Sequence, residues 1–594
     1  MTDRMTLPQR ITTEARPDGT LILRSSHPLG PVAATTADWL HRWAGATPDA
    51  VFIAERSGAG WREVSYAQAL DMVRGLAGWL LAQGLEPGDR VLVLSGNSVD
   101  HGLLALATQY VGLVAVPVAE QYSLIPGAHD RLDYAARTVR PAMVFADDPA
   151  RYGDALALPA LAGVPVLAST AAGARRPVHV MADALKGGAD ITAAHAAVTP
   201  DTMVKILFTS GSTSLPKGVI TTHRMMCVNQ AQIATAMPLL TARPPKILDW
   251  LPWNHVFGGS HNFNMMLANG GALYIDDGKP TDALFPRTLE NMGMHTGTLA
   301  FNVPVGFARV LAALDRDDTL RRRFFTGLDF TFYAGASLPQ DIWAGIDRMA
   351  REITGTVPLM ISSWGLTETA PAVLLTHERV TRSGIIGAPL PGTEVKLIPD
   401  TDEGRYEVRA RGPNIMTGYF EDAAKTAAAF DDEGFFITGD AVKWVDAAEP
   451  DRGLAFDGRI SEDFKLQSGT WVRVAQIRGA ALAALAGIAA DLIITGEGRN
   501  ELGALIFPVK PAGGDGLATD PALLEDIRAR LTPLVAKATG SSTRLACAAV
   551  LSEPPSLGAH EVTAKGNLNI RAVLQRRAAL VDALHADAPG VIRF

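Results

Sequence analysis

The chain has 594 residues, 47% of them hydrophobic and 20% charged, with a formal net charge of −8. This is the profile of a folded globular protein too long for one compact core, so two or more domains are expected. The negative balance argues against a nucleic-acid partner, and Cys227 and Cys547, far apart and in no CxxC pair, build neither a disulfide framework nor a structural zinc site.

In chain order, residues 1–35 read as an irregular, proline-containing lead-in. Met1 to Arg10 is polar and lacks the apolar core of a secretion signal. The most membrane-like segment, Gly479 to Ala490, is too short to span a bilayer. A soluble, cytoplasmic protein with no membrane partner is therefore expected, in keeping with the two unpaired cysteines. Ser65 and Gln68 have capping-box spacing, and Leu70, Val73, Leu76 or Ala77, and Leu80 form the stripe of a helix that Gly84 ends. Val91–Leu94 reads as a buried parallel strand, 100–111 as a helix, and Leu113–Val118 and Met143–Ala146 as further strands. This alternation predicts a doubly wound α/β domain.

The apolar run Val204, Ile206, Leu207, Phe208 leads into a loop of hydroxyls, glycines and one lysine, Thr209-Ser210-Gly211-Ser212-Thr213-Ser214-Leu215-Pro216-Lys217-Gly218. Such a loop can aim hydroxyls, backbone N–H groups and a cation at a polyphosphate. It is not the P-loop, whose lysine needs glycine before it and Ser or Thr after it; Pro216 and Gly218 flank Lys217. Further on, the strand-like Pro358–Ile361 precedes Ser363-Trp364-Gly365-Leu366-Thr367-Glu368-Thr369. An aromatic ring, a glycine permitting close approach, a hydroxyl and a carboxylate in five positions suit a nucleotide with its metal.

Past Ser383, alternation in Glu394–Leu397 and Tyr406–Arg409 predicts an antiparallel β subdomain. Gly434-Phe435-Phe436-Ile437-Thr438-Gly439-Asp440 sets a carboxylate in a tight turn, able to accept hydrogen bonds from both ribose hydroxyls. Asp457-Gly458-Arg459-Ile460-Ser461-Glu462-Asp463-Phe464-Lys465 marks the expected domain boundary, with a large domain over 36–458, a junction at 459–461 and a small domain over 462–594. A helix should start at Asp520 and Pro521, and an apolar helix pattern runs through Ile570, Val573, Leu574, Leu580, Val581 and Leu584.

Each motif alone has an ordinary reading as a solvated loop, a helix start or a turn. Together and in this order, from Ser65 onward, they resemble the adenylate-forming superfamily of acyl-CoA synthetases, luciferases and peptide-synthetase adenylation domains. The resemblance implies a large N-terminal domain of doubly wound α/β subdomains plus a β subdomain, and a small, mobile α+β C-terminal domain. It implies that Thr209, Ser210, Gly211, Ser212, Thr213 and Lys217 hold the phosphates of ATP. Trp364, with Gly365, would lie against adenine, Thr367 would contact the α-phosphate, and Glu368 with Thr209 would ligate Mg²⁺. Asp440 and Arg459 would hold the ribose, and Gly335, Ala336 and Ser337, after Tyr333 and Ala334, would line the adenine and acyl sites. Lys465 falls in the loop that changes role between half-reactions, with Ser461 at the hinge position, where the superfamily more often has Asp or Lys. In Val562-Thr563-Ala564-Lys565-Gly566-Asn567, Lys565 would be the adenylation lysine, although the superfamily lysine usually follows glycine. Ser214 stands where the phosphate loop usually has glycine, at a cost of about 1 kcal/mol if that position needs positive φ.

Trp250 to Asn264, Tyr274 to Pro280 and His223 to Gln230 resemble feruloyl-CoA synthetases, and His255 matches the histidine beside their acyl pocket. The implied function is ATP-dependent ligation of an aromatic, hydroxycinnamate-type acid to coenzyme A, releasing AMP and pyrophosphate. Its rivals are an adenylation enzyme that loads a carrier protein, a CoA ligase for another aryl or medium-chain acid, and a nucleotide-binding protein without turnover. Monomer and homodimer are both left open.

Overall fold

A computed structural model describes residues 5–209, 216–400, 404–556, 558–559, 561–562 and 568–594. The capping box forms as its spacing predicts: Ser65 Oγ accepts from Gln68 N and Gln68 Oε1 accepts from Ser65 N. The helix Tyr66–Ala82 follows, burying Val73, Leu76, Ala77 and Leu80 on one face. The chain then reverses through Gly84 at φ 84°. Strand Arg90–Leu94 lies between parallel neighbours Val114–Pro117 and Met143–Ala146 in a seven-stranded sheet. Its unbroken Val-Leu-Val-Leu run is buried because both faces of the sheet are covered. At the far edge of this sheet Met203–Thr209 pairs in parallel with Val114–Pro117 and antiparallel with Lys217–Thr222.

The largest sheet among the described residues has eleven strands and changes character along its width. Leu299–Asn302, Phe330–Tyr333 and Leu359–Gly365 run parallel, and their carboxyl ends point the same way. Beyond them come antiparallel strands that include Leu454–Arg459, Phe436–Trp444, Arg405–Arg411 and Glu394–Pro399. The expected irregular lead-in is not irregular: Ile11–Ala15 and Leu21–Ser25 form a hairpin that extends this sheet beside Glu394–Pro399. Ile22 and Leu23 are fully buried there. Pro17, Asp18 and Gly19 form the hairpin turn, with Gly19 at φ 85°.

From residue 464 on, the described strands pair only with one another, in a two-stranded ribbon and a four-stranded sheet. Helix Pro521–Lys537, capped by Asp520 Oδ1 on Leu523 N at 2.8 Å, packs Ile527 and Leu531 onto that sheet. The last helix pattern is split into Ile570–Arg576 and Ala578–His585. The break falls at Arg577, whose guanidinium turns inward and grips the fully buried Glu561 through two 2.7 Å bonds. The whole is a mixed α/β architecture with a large N-terminal and a smaller C-terminal domain, as expected. No described helix is long and apolar enough to cross a membrane.

Candidate active site

The phosphate loop hangs from a hairpin. Thr209 and Lys217 face each other across the last rung of the ladder, so both ends of the loop are fixed by strand pairing. Ser210, Gly211, Ser212, Thr213 and Ser214 lie outside the described residues, as does Lys565. The Lys217 ammonium sits 4.8 Å from the Tyr419 ring centroid, and the Tyr419 hydroxyl donates to Glu368 Oε1 at 3.1 Å. Burial, with Glu368 alongside, pushes the Tyr419 phenol far above its ordinary range, so it stays a donor. One aromatic side chain thus ties the loop's cation to the carboxylate of the Thr-Glu motif.

Thr367 and Glu368 occupy a short 3₁₀ turn after strand Leu359–Gly365, and both are buried. Buried amides hold that turn. Asn414 Nδ2 donates to Thr369 O at 2.8 Å, Asn229 Nδ2 donates to Ala372 O at 2.8 Å, and Met416 N donates to Glu368 O at 2.8 Å. Gly365 permits a close approach, but to the chain itself. A Cβ there would stand 1.7 Å from the Pro371 carbonyl oxygen.

Asp440 was expected in a tight turn. It lies instead inside strand Phe436–Trp444, just past a bulge where Gly439 takes φ 72° and the register shifts. The bulge re-aims the carboxylate inward, where Oδ2 accepts the Trp364 indole N–H at 2.9 Å. Arg459 is its cross-strand partner, with Nε 3.4 Å from Oδ1. That contact is electrostatic, and the buried Oδ1 has no hydrogen-bond partner among the described residues. Burial raises the Asp440 carboxyl above the ordinary carboxylate range, Arg459 and the Trp364 N–H oppose the rise, and nearby Glu368 adds to it. A buried acceptor left over beside a half-exposed guanidinium fits a sugar hydroxyl.

Gly335, Ala336 and Ser337 follow strand Phe330–Tyr333 and are exposed, with Gly335 at φ 87°. Tyr333 is buried behind them, its hydroxyl accepting from Gly384 N at 3.3 Å. His255 is half-buried at the entrance to a π-helix, Phe257–Asn262, and its Nδ1 accepts from Phe257 N at 3.2 Å. Gly258 and Gly259 let that helix lie on the backbone of Leu251–Trp253, since a Cβ at either would meet a carbonyl oxygen within 2.3 Å.

Lys465 is not brought to this group. It sits on the small domain's ribbon opposite Trp471, exposed, with its ammonium 4.9 Å from that ring's centroid. Between the two domains, Arg405 is 1% exposed and its guanidinium meets the carboxylates of Asp400, Asp457 and Asp463. Tyr419, Asn414 and Arg405 were missed in the sequence. Each stands near a turn motif but belongs to no chemistry-bearing pattern of its own.

The donor set fits a magnesium nucleotide. Glu368 Oε1 is used by Tyr419, while among the described residues nothing bonds Oε2, leaving a hard oxygen for a hard cation.

A family model described as AMP-binding enzyme matches residues 40–420. A Rhodococcus jostii (strain RHA1) protein, 3-[(3aS,4S,7aS)-7a-methyl-1,5-dioxo-octahydro-1H-inden-4-yl]propanoyl:CoA ligase, is 30% identical over 77% of this chain and 86% of its own length. The medium-chain fatty-acid–CoA ligase of Escherichia coli (strain K12) is 26% identical over 70% of this chain and 71% of its own. Among solved structures, an anthranilate CoA ligase in complex with anthranoyl-AMP superposes with a TM-score of 0.74 at 19% identity, covering 93% of this chain and 99% of that one.

Proposed function

The chain belongs to the AMP-binding enzyme family, within the adenylate-forming superfamily, and from that premise we propose an ATP-dependent ligase that joins an aromatic, hydroxycinnamate-type acid to coenzyme A. The observation that carries this reading is the convergence of two relays, Lys217–Tyr419–Glu368 and Trp364–Asp440–Arg459, each ending in a carboxylate oxygen left over for a ligand.

A carboxylate is a poor acyl donor because its leaving group would be oxide. Attack by a carboxylate oxygen on the α-phosphorus of ATP breaks the bond to the β-phosphate and gives an acyl-adenylate and pyrophosphate. Asp440 and Arg459 hold the ribose, and Trp364, which orients Asp440, presents its ring to the base. Thr367 and Lys217 face the phosphates, together with Ser210 to Thr213 by their place in the motif. Glu368 and Thr209 would hold Mg²⁺, which when bound neutralises phosphate charge. Lys565 supplies a further cation at the α-phosphate during this step and leaves when the small domain turns at 459–461. The loop around Lys465 then enters, the CoA thiol attacks the acyl carbon, and AMP departs.

The aryl assignment rests on the resemblance at Trp250 to Asn264 and on the small residues Ala334, half-buried, and Gly335 and Ala336, exposed, which would leave a flat slot. Burying both faces of a conjugated ring is worth roughly 1.5–3 kcal/mol. The solved anthranilate ligase with its aryl adenylate supports the same class. Competition assays test it: ferulate, p-coumarate or caffeate should exceed acetate and octanoate in kcat/KM. A preference for octanoate or acetate over every cinnamate would overturn the aryl assignment and leave the adenylation chemistry standing.

A further inference from the structure

Lys205 is an ammonium in the middle of an otherwise apolar strand, 5% exposed, and no described carboxylate forms an ion pair with it. Buried charges are normally paired, so an unpaired one calls for another partner. Its Nζ donates to Gly259 O at 2.7 Å and to Ser260 Oγ at 3.3 Å, both on the π-helix. An ammonium has three N–H groups, and two are used. Burial lowers its pKa to about 8, which keeps it mostly protonated at neutral pH. From the next helix Gln230, 2% exposed, reaches the same place, with Nε2 donating to Ser260 O at 3.3 Å and His261 O at 3.2 Å. Its Oε1 is buried without a hydrogen-bond partner among the described residues. Lys205 and Gln230 thus both bind Ser260, and between them they keep one spare donor and one spare acceptor.

Strand alternation puts Lys205 on the same face as Thr209, four residues and about 13 Å below the phosphate loop. The π-helix that receives Lys205 begins just after His255. Its other side packs Phe257 and His261 on Phe332, with centroids 5.6 and 5.0 Å apart, in the strand that leads to Ala334 and Gly335. π-helical turns occur frequently at functional sites.

We propose that Lys205 and Gln230 form a specificity recess for a hydroxyl at the buried end of the acyl group, Lys205 donating to its oxygen and Gln230 Oε1 accepting its hydrogen. A carbonyl or carboxylate would answer the lysine but leave the glutamine oxygen unpaired, whereas a phenolic hydroxyl answers both. The inference rests on the aryl-acid reading of the same site and adds to it the position at which the ring is read.

The test compares kcat/KM for 4-hydroxycinnamate, cinnamate and 4-methylcinnamate in the full-length enzyme. A site built to bond a hydroxyl rejects analogues that lack it, so the native enzyme should favour the hydroxy acid by at least about 100-fold. In Lys205→Met the ratio should fall to within about threefold, because the hydroxy acid loses far more than cinnamate does. A purely structural lysine would lower all three acids together. A native ratio near one, or a ratio unchanged in Lys205→Met, overturns the recess. Should Lys205→Met not fold, the native ratio and Gln230→Met, which removes the acceptor together with the two donations to the π-helix, decide in the same way. Absence of pyrophosphate release with every cinnamate is a different result: it overturns the aryl reading, and the recess with it.

Discussion

The nucleotide-facing edge of the large domain and the small domain beyond residue 463 treat their charged groups in opposite ways. Glu368 and Asp440 are buried, each held by one aromatic donor, Tyr419 or Trp364, with one oxygen left over. Lys465 is exposed and stacked on Trp471, itself 42% exposed, and touches none of them. Groups that must greet ATP in a fixed geometry are built into a sheet, where preorganisation costs nothing at the moment of binding. In the proposed mechanism, the groups needed in only one half-reaction, Lys465 and Lys565, belong to the small domain. Arg405 stands between the two regions, its guanidinium shared by Asp400 and Asp457 on one side and Asp463 on the other.

The sharpest way to break this contrast is at that junction. Arg405→Met should cost about 3–5 kcal/mol of stability, because it takes a buried guanidinium from three carboxylates at once, although Lys443 and Arg473 still pair with them. Chemical denaturation with urea measures it, and a loss under 1 kcal/mol would remove the cluster from the account. Next in size, Lys565→Ala should lower adenylate formation by about 10²–10³, or ~3–4 kcal/mol, while sparing thioester formation from a supplied acyl-adenylate. Equal loss in both half-reactions would erase the division of labour. Glu368→Gln should raise the Mg²⁺ requirement without unfolding the protein. Tyr419→Phe, which removes only the hydroxyl that orients Glu368, should do the same by about tenfold. An unchanged Mg²⁺ titration in both would reassign Glu368 to a structural role. The smallest effect concerns pH. Burial raises Asp440 above the usual carboxylate range, and ribose hydroxyls bind its ionised form. Adenosine affinity should be full above that raised value and fall as pH drops through it. Asp440→Asn should bind weakly at every pH, with a flat profile.

The α/β frame was legible because its signals are local and strong. Ser65 with Gln68, the Val91–Leu94 run and Asp520–Pro521 each dictate their element within a few residues. The lead-in was misread because a hairpin needs a partner strand, and the partner, Glu394–Pro399, lies some 370 residues away. Residue types at the site were legible for the same reason, since Thr367, Glu368, Asp440 and Arg459 sit in short motifs. What orients them was not. The Trp364–Asp440 bond joins two motifs 76 positions apart, and Tyr419 reaches Glu368 across 51. Lys205 did leave a trace, a charge within Val204 to Phe208, but only the fold shows that no described carboxylate pairs with it.

The most direct measurement follows pyrophosphate, AMP and thioester separately in one series with ATP, Mg²⁺ and ferulate, with and without coenzyme A. The account predicts ferulate-dependent pyrophosphate and a bound ferulate-adenylate without CoA, then thioester and AMP in equal amounts once CoA is added. Release of ADP and phosphate, or nucleotide cleavage that ignores the acid, would contradict it.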